Sequence, residues 1–246
     1  VYCGQGTNSR GILVILDRNK LITDTLIDPE NPTTEELEAA IISQLRLPDF
    51  MGAHTSFPIL GMRPEEFNND QEFKVRDVVA IMNESLRNEC TEEARQMMYF
   101  VDITDEMHPW PISTYNVSDS SGDFCLRGGR FGAHGSNESF APMYYGRLIF
   151  ASWFNAGMRV IDIRDPFSPK EVGYYIPAIT GNTGERCITI SDERRCKTAI
   201  QTNNLEVDDR GYIYLVDRAN TGMHIVELTG DAREAADFSA GLANGN

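Results

Sequence analysis

Two segments of the chain repeat one strand–turn–strand pattern, and this repeat restricts the fold more than any other feature. Residues 155–163 read Asn-Ala-Gly-Met-Arg-Val-Ile-Asp-Ile, and residues 220–228 read Asn-Thr-Gly-Met-His-Ile-Val-Glu-Leu. Each follows an apolar segment, 146–152 in the first case and 211–217 in the second. Asn and Gly adopt the positive φ angles that a tight turn between two strands requires. The pattern therefore predicts two β-hairpins.

The second strand of the predicted hairpin ends in an acidic residue, and this ending recurs along the chain. The copies are Val14–Asp17, Tyr99–Asp102, Arg159–Asp162 and His224–Glu227. A proline-containing turn and an outer strand follow the second and third copies, where a sheet edge tolerates the missing N–H of proline. Units of four strands, repeating about every 60 residues or more, are typical of β-propeller blades. A β-sandwich would also have many short strands, but it would not repeat this hairpin with its terminal acid.

We therefore predict an all-β fold, a partial β-propeller over residues 1–238, with a flexible tail at 239–246. The predicted parts are a blade remnant at 1–22, an insertion at 23–48, and blades at about 49–118, 130–177 and 198–238. About three and a half four-stranded blades cannot close a ring, and an open ring exposes unpaired sheet edges. We expect a larger ring of about seven blades. Its missing N-terminal half would be a partner, supplied as a separate chain or an upstream fragment.

Helix signals are confined to the insertions. Thr33 and Thr34 are followed by two glutamates, which predicts a helix capped by threonine that continues through residues 37–45. A second short helix is predicted at 91–96, and the Ser-, Gly- and Asp-rich residues 118–129 are predicted to form a loop. Helices are therefore expected to be short additions to a β fold.

The chain is strongly acidic, with 22 Lys and Arg residues against 37 Asp and Glu residues and a formal net charge of −15. Nucleic-acid binding depends on Lys and Arg residues that neutralise phosphates, so this balance argues against a nucleic-acid partner. It argues equally against an anionic membrane surface. No apolar run approaches the ~20 residues needed to cross a bilayer, so we expect no membrane span.

The cysteines favour disulfides over a zinc ribbon or a redox motif, because none of the five forms a Cys-x-x-Cys pair. Cys187 and Cys196 bracket a polar stretch resembling the arms of a short hairpin, which a disulfide would stabilise. Two unrelated thiols are the alternative. Cys90 with Cys125 is a second candidate pair, which leaves Cys3 over. The cysteine pattern and three Asn-x-Ser/Thr triplets together favour an oxidising compartment, so the protein is expected to be periplasmic or secreted.

Residues 160–172 join the strand ending to an Asp-Pro turn and read Val-Ile-Asp-Ile-Arg-Asp-Pro-Phe-Ser-Pro-Lys-Glu-Val. This pattern resembles the LVIVD-repeat β-propellers and is similar, more distantly, to the selenium-binding protein and methanethiol oxidase propellers. The resemblance covers residues 97–230 well and residues 1–96 weakly. It implies a propeller fold and an extracytoplasmic location. It does not imply an activity, because propellers host binding, scaffolding and many chemistries.

Two histidines occur in matching Gly-Ala-His triplets, at 52–54 and 132–134. Both precede the second strand of a blade, so His54 and His134 are predicted to lie on innermost strands that line the central channel. The corresponding stretch of the last blade carries Asn203, Asn204 and Glu206. Imidazoles with carboxylate or amide neighbours suit a transition metal or zinc. The resemblance to methanethiol oxidase propellers implies the same, since that family holds a metal through channel histidines.

A structural role is the alternative for this histidine pair, with each imidazole bonded to the backbone of a neighbouring blade. Arg130 and Glu138 flank His134 and are candidate substrate-binding residues, together with the three polar residues of the last blade. An arginine at the channel mouth could bind a substrate carboxylate through two hydrogen bonds. It could equally pair with acidic residues of the blades.

Two functions from different classes follow from these features. The first is an extracytoplasmic propeller with a small-molecule or metal site at the central channel, such as a metal-dependent oxidase or hydrolase with zinc or a transition metal as cofactor. The second is a non-catalytic propeller that binds a protein or a surface polymer as a scaffold. The chain has no Gly-x-Ser-x-Gly elbow and no Walker or dinucleotide glycine motif, which disfavours serine hydrolases and nucleotide-binding proteins.

Overall fold

The computed structural model describes residues 1–7, 10–22, 28, 30–67, 69–70, 72 and 74–239. These residues form a mostly β fold of small antiparallel sheets, which confirms the predicted all-β class. Four of the predicted segments lie partly outside the described residues. The residues that are not described are 8–9 of the blade remnant, 23–27 and 29 of the insertion, 68, 71 and 73 of the blade at about 49–118, and 240–246 of the flexible tail.

The first sheet joins residues that were expected to belong to separate parts of the fold. It contains β1 (Tyr2–Gln5), β2 (Ile12–Leu16) and β3 (Ile41–Arg46), with β2 in the centre. Two short helices, α1 (Arg18–Ile22) and α2 (Thr34–Ala39), lie in the connection from β2 to β3. The predicted blade remnant and the predicted insertion therefore both contribute strands to one sheet.

The predicted helix start capped by threonine is confirmed, with Thr33 as the cap, but the predicted length of this helix is wrong. The Thr33 hydroxyl accepts a hydrogen bond from the backbone N–H of Glu36, and the Glu36 carboxylate accepts one from the backbone N–H of Thr33. The helix ends at Ala39 because residues 41–46, which begin with two β-branched isoleucines, pair with β2 along its length. Tertiary pairing overrides the local helix propensity here.

The second sheet has four strands in chain order, all paired antiparallel. They are β4 (Thr55–Met62), β5 (Arg76–Met82), β6 (Met98–Asp102) and β7 (Trp110–Tyr115). β6 is the predicted strand with a terminal acid, and β7 is the predicted outer strand after the proline turn. This sheet therefore has the four strands that the repeat predicts.

The third and fourth sheets contain the two hairpins predicted from the repeated segments. The third sheet contains β8 (Leu148–Ser152), β9 (Met158–Asp162) and β10 (Lys170–Tyr175). A separate hairpin of β11 (Glu185–Ile190) and β12 (Glu193–Thr198) precedes the fourth sheet of β13 (Thr202–Val207), β14 (Ile213–Asp217) and β15 (Gly222–Val226). Both sheets have three described strands rather than four. In the third sheet, a single bridge from Ser136 to Ala151 occupies the position beside β8 where a fourth strand would pair.

The remaining helices are short. They are α3 (Phe124–Arg127), α4 (Gly230–Ala235) and 3₁₀ turns at Glu65–Phe67, Cys90–Glu92 and Asp119–Ser121. The helix predicted at 91–96 is therefore only a 3₁₀ turn, and the loop predicted at 118–129 contains two short helical segments.

The acid at the end of the repeated strand forms the same turn in three copies. One side-chain oxygen of Asp17, Asp102 and Asp162 accepts a hydrogen bond from the backbone N–H two residues later, at 2.9, 2.9 and 3.0 Å. Short acidic side chains favour turns by making this bond. The acid therefore ends the strand and directs the chain away from the sheet.

Apolar side chains fill clusters that lie between consecutive sheets. Between the first and second sheets lie Leu13, Ile15, Val79, Ile81 and Val101. Between the second and third lie Phe57, Ala80, Phe100, Ile149, Ala151 and Ile161. Between the third and fourth lie Leu148, Phe150, Val160, Leu205, Ile213 and Leu215. Alternate residues of β8 thus contact the second sheet on one face and the fourth sheet on the other, as strand geometry requires. The sheets therefore pack face to face in chain order.

Gly157 supplies the positive φ angle predicted for the turn of the β8–β9 hairpin, with a φ of +77°. A Cβ at this position would overlap the backbone carbonyl of Tyr175 at the end of β10. We expect Gly157→Ala to lower the free energy of unfolding by about 2 kcal/mol, because it combines left-handed backbone strain with a forced shift of β10. Urea denaturation measures this loss.

Gly146→Ala is the matched control for this prediction. Gly146 has a φ of +72°, but no described atom lies within 4 Å of an added Cβ. Only the backbone strain applies there, so we expect a loss of about 1 kcal/mol. If the two variants lost the same free energy of unfolding, the contact with Tyr175 would not add to the cost of a side chain at position 157.

Candidate metal and ligand site

His54 and His134 occupy the same position in two successive sheets. His54 comes immediately before β4, and its backbone N–H donates to the carbonyl of Met82 at the end of β5, at 2.8 Å. His134 comes just before the bridge to Ala151, and its backbone N–H donates to the carbonyl of Ser152 at the end of β8, at 3.0 Å. Each histidine therefore begins the pairing of its segment with the neighbouring strand of its own sheet.

The two imidazoles, 80 residues apart in the sequence, lie against each other. Their ring centroids are 4.6 Å apart, and the ring planes are tilted by 38°. The His54 side chain is 35% exposed, whereas that of His134 is 7% exposed. The packing of the second sheet on the third thus brings the two Gly-Ala-His triplets together, with one imidazole open to solvent and the other enclosed.

The protonation of His134 is set by the fourth sheet. Its Nδ1 lies 2.7 Å from the backbone carbonyl oxygen of Asn203 in β13, so Nδ1 carries the proton and donates it. Burial and, to a smaller extent, the neighbouring His54 lower the pKa of His134 to about 4. The ring is therefore neutral near pH 7 and keeps a lone pair on Nε2. The predicted alternative, an imidazole bonded to a neighbouring backbone, holds for Nδ1 and leaves Nε2 available.

Glu84 completes a cluster of three groups that can ligate a metal. It follows β5 by two residues, and its side chain is 12% exposed. Its carboxylate oxygens lie 3.7 Å from Nε2 of His134 and 3.9 Å from Nε2 of His54. One ligand atom from each of the three residues lies within 4.8 Å of the others. The sequence pattern did not single out Glu84, although its position just after a buried strand is a signal that could have done so.

Two arginines also approach the Glu84 carboxylate. Nη1 of Arg130 donates to Oε1 of Glu84 at 2.9 Å and to the carbonyl of Ser85 at 3.1 Å. Nη1 of Arg218 lies 3.9 Å from the same Oε1. Both guanidinium groups lie over the ring of Phe154, at 5.3 and 5.9 Å from its centroid. Of the two roles considered for Arg130, the pairing with an acid is therefore present.

The other predicted ligand-binding residues do not join this cluster through their side chains. The Asn203 side chain hydrogen-bonds to that of Asn204, and only its backbone reaches His134. The Glu206 carboxylate accepts backbone N–H bonds from Glu138 and the following serine, both at 3.0 Å. Glu138, Asn204 and Glu206 instead line a separate open cleft of about 280 Å³.

Two disulfides lie in the described part of the chain. Cys187–Cys196 links β11 to β12, which confirms the favoured pair, and Cys90–Cys125 confirms the second candidate. Cys3 forms no disulfide. The Cys90–Cys125 bond joins the segment after β5, which carries Glu84, to α3, which precedes Arg130. Disulfides are typical of proteins in oxidising compartments.

Among the described residues, no helix combines the length and the apolar character needed to cross a bilayer. No protein-family model matches the chain. A search of curated proteins found no match either.

Proposed function

We propose that this chain binds zinc or a transition metal ion through His54, Glu84 and His134 and uses it to act on a small molecule outside the cytoplasm. The observation that carries the proposal is the direction of the free lone pair of His134. Its Nδ1 proton is used by the carbonyl of Asn203, and its Nε2 lies toward Glu84 and within the reach of a shared ion with His54. The two disulfides support an oxidising compartment.

The spacing of the three groups supports this proposal. Two ligands of a tetrahedral zinc ion lie about 3.4 Å apart, since each bond is about 2.1 Å long. The separations of 3.7 and 3.9 Å from the two oxygens of Glu84 to the two imidazoles are a few tenths of an ångström longer, and the three ligand atoms lie within 4.8 Å of one another. Rotations of the side chains would be needed to bring all three atoms to one ion. A second ring nitrogen bonded to a backbone carbonyl is also what metal-ligating histidines usually have, because it orients the ring.

The chemistry of the donor set supports a catalytic rather than a purely structural metal. Two imidazoles and one carboxylate leave coordination positions open for water and a substrate. A bound metal would supply a Lewis acid and lower the pKa of a coordinated water. In this arrangement the fourth sheet orients His134, Arg130 orients the Glu84 carboxylate, and the exposed His54 lies at the solvent side. A metal-dependent hydrolase or oxidase is the reaction class that these residues suit.

We also propose that the sheets are blades of an LVIVD-type β-propeller. Three features support this architecture. The sheets pack face to face in chain order through the three apolar clusters. β1 lies beside β4, and β13 lies beside β8, so the sheets approach one another along one edge. The histidines of the second and third sheets and Asn203 of the fourth meet at this edge, as the inner strands of propeller blades do around an axis.

The test of the metal site is metal binding by the purified chain. After dialysis against Co²⁺ or Zn²⁺ and removal of loosely held metal, we expect about one equivalent to remain bound. His54→Ala and Glu84→Gln should each weaken binding at least about tenfold, because each removes one of three ligands. His108→Ala is the matched control, since His108 is exposed and pairs with Asp105. Competition with a fluorescent chelator gives the affinities, and the visible spectrum of Co²⁺ reports the ligand set.

A protein that binds no metal, or that binds it equally well in His54→Ala and His108→Ala, would contradict the metal site. Either result would favour the second function, a non-catalytic scaffold. One observation favours that function independently. On the fourth sheet, Val216, Met223 and Ile225 are 42, 62 and 54% exposed. Exposed apolar side chains on one sheet are typical of a surface that another protein or a further blade covers.

A further inference from the structure

Arg218 is a cation beside the histidine–glutamate cluster that has no close partner of its own. Its side chain is 42% exposed, and its ion pair with Oε1 of Glu84 is long, at 3.9 Å. Among the described residues, its guanidinium makes no hydrogen bond. Some exposed arginines are paired more closely, such as Arg210, whose Nη2 lies 2.6 Å from Oδ2 of Asp208. The N–H donors of Arg218 are therefore available to a ligand.

The position of Arg218 is nevertheless well fixed. Its backbone N–H donates to the carbonyl of Gln201 at 2.9 Å, and its own carbonyl accepts a bond from Arg186 at 2.9 Å. Its guanidinium lies over the fully buried ring of Phe154, which Arg130 also contacts. A guanidinium held by its backbone and by an aromatic ring loses less conformational entropy when it binds a ligand. Arg218 is therefore well positioned and, among the described residues, its guanidinium donates to no protein acceptor.

Positive charge is concentrated beside Glu84, although a second carboxylate, Glu93, also acts on Arg130. One carboxylate serves two guanidinium groups, and the two imidazoles beside it are close enough to share a cation with it. With a divalent metal bound, the metal and both arginines would share the single carboxylate of Glu84. An anion from solution would then be favoured beside Arg218.

We propose that Arg130 and Arg218 bind the carboxylate group of a small organic acid, which is the substrate class of the metal site. This inference rests on the proposed metal function. Arg130 already holds a carboxylate, that of Glu84, at 2.9 Å, so the position suits this group. The planar fork of a guanidinium matches the two oxygens of a carboxylate, and the fork of Arg218 is free to make that contact. The acid would lie between the arginines and the metal, with its reactive part toward His54.

The test is acetate binding, since acetate is a small organic carboxylate with little steric demand. Isothermal titration of acetate into the Zn²⁺-loaded protein should show saturable binding with a millimolar Kd. Arg218→Gln should weaken this binding at least about tenfold. The acetate affinity of Arg218→Lys should lie between those of the wild type and Arg218→Gln, because lysine keeps the charge without the planar fork. Arg210→Gln, which removes an equal charge from an exposed arginine elsewhere, should bind like the wild type. The neutral analogue acetamide should not bind.

The outcomes separate this inference from the metal function. If Zn²⁺ binds but acetate binding is absent or insensitive to Arg218→Gln, the carboxylate site is wrong and the metal site stands. If the metal-free protein binds acetate through Arg218 but no Zn²⁺ binds, the metal site is wrong. Inorganic phosphate that binds through Arg218 while acetate does not would overturn the assignment of a carboxylate. Unchanged thermal unfolding of Arg218→Gln would confirm that any loss arises at the site.

Discussion

Replacing Cys90 and Cys125 with serine is expected to lower the free energy of unfolding by about 4 kcal/mol. The bond spans a sequence separation of 35 residues, and closing a loop of that length restricts the unfolded chain strongly. It also joins the segment that carries Glu84 to α3, which lies just before Arg130. Urea denaturation without added oxidant or reductant measures this loss of unfolding free energy. A Cys3→Ser background prevents the free thiol from exchanging with the disulfides.

The second disulfide is the matched control for this prediction. Cys187–Cys196 spans only 9 residues and lies within one exposed hairpin, so its removal should cost about 2.5 kcal/mol. The difference between the two double variants isolates the effect of loop length. If removal of the shorter bond costs as much or more, then restriction of the unfolded chain is not the main contribution of these disulfides.

The metal-free protein is expected to lose about 3 kcal/mol of stability to His134 alone as the pH falls from about 6.5 to about 4. Burial lowers the pKa of His134 to about 4 in the folded chain, against 6.5 for a free side chain. Between these values the unfolded state binds a proton that the folded state does not, so the free energy of unfolding falls with pH. Above pH 6.5 the ring is neutral in both states, and the effect disappears.

His134→Gln isolates this contribution, because glutamine can donate to the carbonyl of Asn203 but does not titrate. The carboxylates that titrate in the same range contribute equally to both proteins, so the difference between the two stability curves is the quantity to measure. Chemical denaturation at several pH values, with a chelator present, gives both curves. Parallel curves would mean that His134 is protonated equally well in the folded and unfolded states.

The hairpins and turns could be predicted from the sequence because their signals are local. Gly157 supplies the positive φ angle expected for its turn, and Asp162 forms its hydrogen bond only two residues away. The Cys187–Cys196 pair could be predicted for the same reason, since both cysteines belong to one hairpin. The residues that decide the structure of such a turn or hairpin all lie within a few positions of one another in the sequence.

The strand β3 and two residues of the site could not be predicted in this way. Residues 41–45 carry a helix signal, and only the pairing with β2 makes them a strand. Glu84 and Arg218 have no motif, and they meet because three sheets pack against one another. The Gly-Ala-His triplets were informative because a repeated motif takes the same position in repeated sheets. A side chain that occurs in only one sheet gives no such signal.

The bond from Nδ1 of His134 to the carbonyl of Asn203 couples a ring tautomer to the docking of two sheets. If the fourth sheet moved away by little more than the length of a hydrogen bond, the proton could relocate to the other nitrogen and block it. The ¹⁵N chemical shifts of the His134 ring would then report whether the third and fourth sheets are packed together. Any event that displaces the fourth sheet, even far from the histidines, would therefore change which ring nitrogen of His134 carries the free lone pair.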